Sequence, residues 1–253
     1  MADPLFLSVI IPAHNEEKRL PTTLARIQRF LEQENLRAEV IVVENGSRDR
    51  TAQVAREASR HFPELRLVQV GPRGKGRAVR VGMLAAQGAY RFQCDADLSM
   101  PIDEVVHFLP PRLAEVDVAI ASREAKGARR IAEPAYRHAM GRVFAFLVNW
   151  AVLPGFEDTQ CGFKCYRAPA AEEIFRRQRL TGWTFDVEDL FLALKLGYVV
   201  REVPISWQYR PESRVHMVRD SAQMVIDLFR IRWNWKREAY ALPGPANLPH
   251  PQA

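Results

Sequence analysis

Two carboxylates one residue apart lie near the end of the segment AYRFQCDADLSMP, residues 89–101. Asp95 and Asp97 follow a run, residues 90–94, in which apolar and polar side chains alternate as in a β-strand. In an open α/β sheet the carboxyl end of a strand faces the ligand crevice, so both acids are expected there. Carboxylate oxygens suit Mg²⁺ or Mn²⁺, which share their remaining positions with water and substrate phosphates. The pair predicts a divalent-metal site, although a DxD sequence also occurs by chance in solvated turns.

A basic glycine turn precedes these acids at residues 71–77, GPRGKGR. Glycines let the backbone approach a ligand closely, and the N-terminus of the helix predicted to follow attracts anions. Lys75 and its neighbouring arginines add positive charge, so the turn indicates a contact with a diphosphate. It is neither a Walker A loop nor the GxGxxG fingerprint, and such a turn alone is more often structural. Its position just before the acid-bearing strand favours the functional interpretation.

Alternating strands and helices would position these residues. Apolar runs predict buried parallel strands at residues 5–11, 38–43 and 65–70, and amphipathic runs predict helices between them. Polar residues follow each strand, so right-handed βαβ crossovers would gather them in one crevice. Further strands are predicted at 116–121, 163–166 and 198–209, and further helices at 136–153, 184–196 and 215–239.

Length and composition predict one α/β domain with an appendage. We expect a main domain over residues 1–214, an amphipathic helix over 215–240 and a proline-rich, disordered tail over 241–253. The net charge of +6 comes mostly from arginine, so nucleic acid, an anionic membrane or a phosphorylated substrate could be the partner. The three cysteines lack the partners of a zinc site and predict ordinary thiols in a reducing cytosol.

Neither a membrane-spanning helix nor a signal peptide is predicted. The longest apolar run, residues 143–153, is far shorter than the ~20 residues that a spanning helix needs. The helix predicted at 136–153 begins with basic residues and continues apolar, which suits a membrane surface, although burial under the sheet explains it nearly as well. The helix at 215–239 combines an apolar stripe with arginines, and it could dock on a membrane, the main domain or a second subunit.

Three acids, Asp186, Glu188 and Asp189, fall in the first turn of the helix predicted at 184–196. Acids in this position offset the helix dipole, so helix capping is a stronger explanation for them than catalysis.

Five motifs, taken in order, resemble those of the inverting family 2 glycosyltransferases with a GT-A fold. They are PAHNEE at 12–17, ENGSRDRT at 44–51, GKGRAVRVGM at 74–83, DADLSMP at 95–101 and DTQCGFK at 158–164. The last motif narrows the resemblance to the polyprenyl-phosphate branch, closest to dolichyl-phosphate β-glucosyltransferases and less close to dolichyl-phosphate mannose synthases. The resemblance implies a Rossmann-like, mostly parallel sheet flanked by helices, with an amphipathic helix at the C-terminus.

The resemblance also implies a role for residues of these motifs. Lys75 would approach the diphosphate, Asp95 would hold the nucleotide side, and Asp97 would coordinate the metal directly. The metal ligands are thus Asp95 and Asp97. Asp158 would lie near the reacting carbon and act in catalysis with Asp97. The residues implied to bind the nucleotide sugar are Pro12, Ala13, Asn15, Glu16, Glu44, Asn45, Lys75, Asp95, Ala96 and Arg214.

A basic stretch over residues 123–137 would form the acceptor side, although a solvated loop would show the same charges. Ser213 and Arg214 take the place of a Ser-Lys pair that reaches the phosphates in relatives, and arginine there changes the hydrogen-bonding geometry. The residues implied to bind the acceptor are Arg123, Arg129, Arg130, Arg137 and Ser213.

The chain departs from its relatives at two places. Glu44 and Asn45 stand where relatives usually have two aspartates, which bears on the contacts with the base and ribose. Ser99 stands where mannose synthases often have a glutamine, so the resemblance leaves the third protein ligand of the metal open.

By resemblance we expect metal-dependent, inverting transfer of glucose from UDP-glucose onto a polyprenyl phosphate, at the cytoplasmic face of a membrane. GDP-mannose as donor, or a soluble or hydroxyl acceptor, is the alternative within the family. A hydroxyl acceptor would need a carboxylate base such as Asp158. Outside the family stand a nucleotidyltransferase, which would release pyrophosphate, and a basic nucleic-acid-binding protein. No nucleic-acid partner is expected, because no recognised binding motif is present. A homo-oligomer is compatible with the sequence.

Overall fold

A computed structural model describes residues 5–209 and 217–241 of the protein. Seven of its strands form one sheet in the order β3-β2-β1-β4-β7-β5-β8, and two short strands, β6 and β9, pair separately. The strands are β1 Leu7–Ala13, β2 Ala38–Glu44, β3 Leu65–Gln69, β4 Tyr90–Gln93, β5 Val118–Ser122, β6 Arg129–Ile131, β7 Lys164–Arg167, β8 Val200–Pro204 and β9 Ser206–Gln208.

Helices cover both faces of the large sheet. A 3₁₀ helix at Ile102–Phe108 accompanies them. The α-helices are α1 Leu20–Gln33, α2 Thr51–Ala58, α3 Lys75–Ala85, α4 Ala135–Ala151, α5 Ala168–Arg177, α6 Phe185–Lys195 and α7 Met217–Lys236.

The large sheet is mostly parallel, as predicted. Strands β3, β2, β1 and β4 run parallel to one another, and β5 runs parallel to β8. Only β7 runs against its neighbours in this sheet, pairing with β4 on one side and β5 on the other. The predicted α/β fold class is therefore confirmed, and β7 joins the parallel half that carries Asp95 to the half that carries Arg123.

The continuous apolar character of β1 follows from burial on both faces, because parallel strands covered by helices face no water. Val9 and Ile11 pack in the core under α1, α2 and the 3₁₀ helix. Ile10 faces the second core, which α3, α5 and α6 cover together with parts of α4 and α7. The three cysteines are free and buried, as expected.

Three elements were not predicted. The charged stretch around residue 130 contains β6, the segment after β7 forms α5, and the 3₁₀ helix follows the DADLSMP motif. The strand predicted at 198–209 is interrupted at Ile205, so β8 joins the large sheet while β9 pairs with β6.

Helix α7 docks on the main domain through one face. Leu228 and Ile231 are fully or almost fully buried in the core beside α6, and α7 also packs against α4. Its other face is exposed at three apolar residues spaced three and four positions apart. We call these, with their counterparts on α4, the exposed apolar stripes: Tyr136, Met140, Val143, Phe146 and Trp150 on α4, and Ile226, Phe229 and Trp233 on α7.

Within the described ranges, no helix is both long and apolar enough to cross a membrane. The predicted tail lies outside the described residues, apart from Ala241. The domain boundaries predicted from the sequence stay predictions.

Candidate active site

The loops that follow β1 and β2 meet above the sheet and hold each other. The Asn15 backbone N–H donates to Ser47 Oγ at 2.9 Å, and the Arg48 N–H donates to Asn15 Oδ1 at 2.7 Å. The Glu16 N–H donates to Thr51 Oγ1 at 2.7 Å, and Arg19 binds the Glu16 carboxylate with two nitrogens. The structure thus brings Asn15 and Glu16 of the first motif into contact with the second motif.

Residues Pro12 and Ala13 are the last two of β1, in register with the end of β2. Ala13 is completely buried in the sheet, and its carbonyl accepts the Asn45 N–H at 3.1 Å. Pro12 and Ala13 therefore lie where the two loops leave the sheet, because β1 and β2 end side by side.

Glu44 and Asn45, which depart from the pattern of the relatives, are both buried. The Glu44 carboxylate accepts the Ser47 N–H at 2.5 Å and Gln69 Nε2 at 3.1 Å. Burial acts to raise the pKa of Glu44, but these hydrogen bonds outweigh it and hold the pKa below its ordinary value. Asn45 donates through Nδ2 to the Gly74 carbonyl at 2.9 Å, while its Oδ1 is buried with no protein partner. Glu44 therefore stays ionised, and Asn45 keeps one acceptor for a ligand or water.

Lys75 and Asp95 form an ion pair at the centre of the crevice. Lys75 is the first residue of α3, and its Nζ lies 2.8 Å from Asp95 Oδ1. Burial acts to lower the pKa of Lys75, yet the carboxylates of Asp95 and Asp186 raise it above its ordinary value. Burial and the nearby Asp97 raise the pKa of Asp95, which Lys75 opposes. The pair and the nearby Asp97 place one positive and two negative groups where the basic glycine turn meets β4.

The DADLSMP motif holds its two acids differently. Asp95 faces Gly162, where an added β-carbon would lie 1.9 Å from Asp95 Oδ2. Asp97 accepts the Ser99 N–H at 2.9 Å through Oδ1. Ala96 between them is buried, and its carbonyl accepts Thr23 Oγ1 at 2.6 Å. Hydrogen bonds from Thr23 and to Asp97 thus fix the backbone of the motif at Ala96 and Ser99. The second carboxylate oxygen of Asp97 makes no hydrogen bond to the described residues.

Asp95 and Asp97 offer carboxylate oxygens to a divalent metal. Among the residues that the structure describes, no group of three His, Cys, Asp or Glu side chains comes close enough to hold an ion by itself. Two carboxylates are what Mg²⁺ and Mn²⁺ commonly take from a protein when substrate phosphates and waters complete the shell. The donor set therefore fits a cation brought in with a nucleotide diphosphate.

Asp158 and Arg123 form a second ion pair on the far side of β7. Arg123 Nε and Nη2 lie 2.6 and 2.9 Å from the two Asp158 oxygens, and the Arg123 N–H donates to the same carboxylate at 3.0 Å. Burial acts to raise the pKa of Asp158, but Arg123 outweighs it and lowers the pKa to about 2. Asp158 is therefore ionised at neutral pH and hydrogen-bonded through both oxygens.

Two of the predicted acceptor arginines, Arg123 and Arg130, lie at this pair. Arg123 lies 5.3 Å over the Trp207 ring, and Arg130 Nε donates to the Arg123 carbonyl at 3.1 Å. Arg130 also contacts Glu124 and Glu133. Arg129 is exposed on β6, and Arg137 lies in the first turn of α4. Ser213 and Arg214 lie outside the described residues.

Sequence reasoning missed a buried polar layer under α6. Lys164 is fully buried, and its Nζ donates to Asp186 Oδ1 at 2.5 Å and to the Cys161 carbonyl at 2.7 Å. Asp186, Glu188 and Asp189 are also buried, and the N-cap residue of α6, Thr184, makes no side-chain capping hydrogen bond. Asp186 and Glu188 do lie in the first turn of α6, where acids offset the helix dipole, but the prediction did not include their burial or the pairing of Asp186 with Lys164. A lysine inside the apolar run GFKCY was the signal that a buried acid must face it.

The chain is similar to a known family and to several curated proteins. Residues 8–175 match the family described as Glycosyl transferase family 2. The dolichyl-phosphate beta-glucosyltransferase of Drosophila melanogaster is 38% identical over 242 residues, which covers 90% of this chain and 74% of that protein. The protein of that name from Homo sapiens is 32% identical over 251 residues, which covers 93% and 78%.

Solved structures share the fold. A mannosyl-3-phosphoglycerate synthase from Rubrobacter xylanophilus has a TM-score of 0.65 at 17% identity, over 98% of this chain and 79% of that one. A glucosyl-3-phosphoglycerate synthase from Mycobacterium tuberculosis, solved with Mn²⁺, UDP and glucosyl-3-phosphoglycerate, has a TM-score of 0.63 at 16% identity, over 91% and 79%. The family match, the curated relatives and the seven-stranded sheet agree: this chain belongs to glycosyl transferase family 2 and is a glycosyltransferase with the GT-A fold.

Proposed function

We propose that the protein transfers glucose from UDP-glucose to dolichyl phosphate or a similar polyprenyl phosphate and releases UDP. The observation that carries this proposal is the likeness to dolichyl-phosphate beta-glucosyltransferases over nine-tenths of the chain. The ion pair of Lys75 with Asp95, next to Asp97, supports a donor with a diphosphate. The distant neighbour solved with Mn²⁺ and UDP has the same fold and is compatible with this donor.

The donor side follows from charge. Transfer of the sugar leaves negative charge on the departing diphosphate, so catalysis requires positive groups placed beforehand at that position. Lys75 supplies an ammonium group that Asp95 holds in place. Asp95 and Asp97 would hold Mg²⁺ or Mn²⁺, and such an ion supplies Lewis-acid stabilisation of the leaving diphosphate.

The acceptor side favours a phosphate over a hydroxyl group. A hydroxyl acceptor has to lose a proton to a base, whereas a phosphate monoester is already anionic at neutral pH. The carboxylate that could act as base, Asp158, has a pKa of about 2 and is bound by Arg123. A weakly basic, fully hydrogen-bonded carboxylate is a poor proton acceptor, but the arginines around it suit an anionic acceptor.

The exposed apolar stripes support a membrane as the place of reaction. Phe146 and Trp150 on α4 are 69% and 71% exposed, and Trp233 on α7 is 56% exposed. The two helices pack side by side, so their stripes lie on neighbouring elements. Large aromatic residues flanked by arginines are typical of helices that lie in a membrane interface, where a lipid-linked acceptor would be found. We propose that the protein acts at the cytoplasmic face of that membrane.

The reaction test uses purified protein, a short polyprenyl phosphate and a panel of nucleotide sugars in Mg²⁺, Mn²⁺ or chelator. We expect UDP release from UDP-glucose only when the lipid and a divalent ion are both present, with a β-linked glucosyl lipid phosphate as product. Release of GDP from GDP-mannose would show that the donor is GDP-mannose and not UDP-glucose. Transfer to 3-phosphoglycerate instead of the lipid would refute the proposed acceptor, and release of pyrophosphate would place the reaction in another class.

A further inference from the structure

Helix α7 is tied to the donor side of the crevice by two buried hydrogen bonds. After α7 ends, the chain turns back and buries Tyr240, whose hydroxyl donates to Glu188 Oε1 at 2.7 Å. Within α7, Asp227 Oδ2 accepts the Thr184 hydroxyl at 3.2 Å. Thr184, Asp227, Glu188 and Tyr240 are each less than 5% exposed. Hydrogen bonds in such a position are screened little by water and restrain what they join.

Both bonds act on one segment, residues 178–184, which we call the bridging loop. The second oxygen of Glu188 accepts the N–H groups of Arg179 at 3.0 Å and Leu180 at 2.8 Å. Glu188 therefore fixes the start of the bridging loop, and Thr184 is its last residue. With its carboxylate shared between the loop and Tyr240, Glu188 joins the C-terminal end of the described chain to this loop.

The bridging loop in turn shapes the basic glycine turn. The Gly76 N–H donates to the Thr181 carbonyl at 3.0 Å, and Gln178 Nε2 donates to the Gly76 carbonyl at 2.9 Å. A β-carbon on Gly74 would lie 2.6 Å from the Thr181 oxygen, so the two backbones are in direct contact. Trp183 of the loop lies beside Lys75, with Nζ 5.6 Å from its ring centre.

We propose that Tyr240 and Thr184 are positioning residues for the donor site: through Glu188, Asp227 and the bridging loop, docked α7 holds Lys75 in place for the diphosphate. The path runs by hydrogen bonds from Tyr240 to Glu188, from Glu188 to the Leu180 N–H, and from the Leu180 carbonyl through Gln178 Nε2 to the Gly76 carbonyl, next to Lys75. Coupling between two sites is reciprocal, so a ligand that orders α7 also favours donor binding. This consequence for a membrane surface rests on the proposed function, whereas the link between α7 and the basic glycine turn does not.

The first test needs no ligand. Hydrogen exchange at the Gly76 amide reports whether its bond to Thr181 is kept, because opening of a local unit sets the exchange rate. In Tyr240→Phe the ring stays and only the hydroxyl is lost, so we expect Gly76 to exchange roughly 3- to 10-fold faster. Thr184→Val should also make Gly76 exchange faster, because it removes the hydrogen bond from Thr184 to Asp227. Tyr198→Phe is the matched control, because it removes a 2.7 Å bond from a tyrosine to Glu173 outside this path.

The second test measures binding of UDP with Mn²⁺ to the full chain by calorimetry. We expect Tyr240→Phe and Thr184→Val to weaken UDP binding several-fold, while Tyr198→Phe binds as the wild type does. Vesicles of phosphatidylcholine and phosphatidylserine should tighten UDP binding to the wild type, and less so to Tyr240→Phe.

The outcomes separate the two proposals. If Gly76 exchanges at the wild-type rate in both Tyr240→Phe and Thr184→Val, the link is refuted, whatever the donor is. If the wild type does not bind UDP but Gly76 exchange responds as expected, the proposed donor fails and the link stands. If Tyr198→Phe changes Gly76 exchange as much as Tyr240→Phe does, the effect is general destabilisation and the positioning role is refuted.

Discussion

Gly162 lies so close to Asp95 that a β-carbon at position 162 would be 1.9 Å from Asp95 Oδ2. The glycine comes from the loop before β7, and the aspartate follows β4, so the antiparallel pairing of these strands creates the contact. Only a residue without a side chain allows Asp95 to keep its position beside Lys75.

Gly162→Ala should therefore displace Asp95 and lower metal-dependent turnover roughly 100-fold, because a small misplacement of a catalytic group has effects of that size. Steady-state kinetics and a thermal melt are the measurements. Gly141→Ala is the control, since a β-carbon there meets no atom within 4 Å and alanine favours a helix. Full activity in Gly162→Ala would show that Asp95 needs no fixed position.

Asp97→Asn tests the outer acid of the motif. Asp97 accepts one backbone N–H, from Ser99, so the amide oxygen of asparagine can replace that bond and the fold should be kept. Loss of the charge should lower turnover roughly 100-fold and weaken Mn²⁺ binding in the presence of UDP. Asp103→Asn is the matched control, because Asp103 is exposed on the 3₁₀ helix and lies outside the motif. Equal activity with and without chelator in the wild type would contradict the metal site.

Acid should destabilise the protein through Asp158. Its folded pKa is about 2, below the unfolded value of 3.8, so the ion pair with Arg123 stabilises the fold above that unfolded value and is lost as pH falls toward 2. The shift corresponds to about 2 kcal/mol. Urea unfolding of the wild type and Asp158→Asn should therefore give a gap in unfolding free energy that shrinks on acidification. A gap that is constant from neutral pH to pH 2 would contradict this assignment.

Substitutions of the arginines predicted to bind the acceptor should differ in their effects, because these arginines have different partners. Arg129 is exposed, so Arg129→Ala should raise the KM for the lipid phosphate without changing the melting temperature. Arg130 is bound to Glu124, Glu133 and the Arg123 carbonyl, so Arg130→Ala should also lower the melting temperature. Kinetics with varied acceptor at saturating donor measure the first effect. Unchanged acceptor kinetics in both variants would remove this loop from the acceptor side.

The exposed apolar stripes predict membrane binding that substitutions in both stripes reduce. Phe146→Ser and Trp233→Ser together should weaken sedimentation with anionic vesicles at least several-fold, because each removes a large apolar side chain from the interface. Val199→Ser is the control, since Val199 is exposed and apolar but belongs to neither stripe. Vesicle binding equal to that of the wild type would show that these helices face something else.

The periodicity of the first half of the chain was enough to predict β1 to β4 and the helices between them, because β1 and β2 are apolar throughout and β4 alternates apolar and polar residues. It could not reveal β6, whose partner strand, β9, lies far along the chain, nor α5, which follows β7 without a break. The motifs indicated Lys75 and Asp95 but not their ion pair. Lys164 and Asp186 were missed as partners, since pairing across 22 positions leaves no periodic signal.

The single strand that runs against the others, β7, has a further consequence. It lies between β4, which leads to Asp95, and β5, which leads to Arg123, and the loop before it carries both Asp158 and Gly162. The Asp95 and Arg123 sites thus each depend on a residue of the same loop, Gly162 for one and Asp158 for the other. Fraying of β7 should therefore disturb the proposed donor and acceptor sites together.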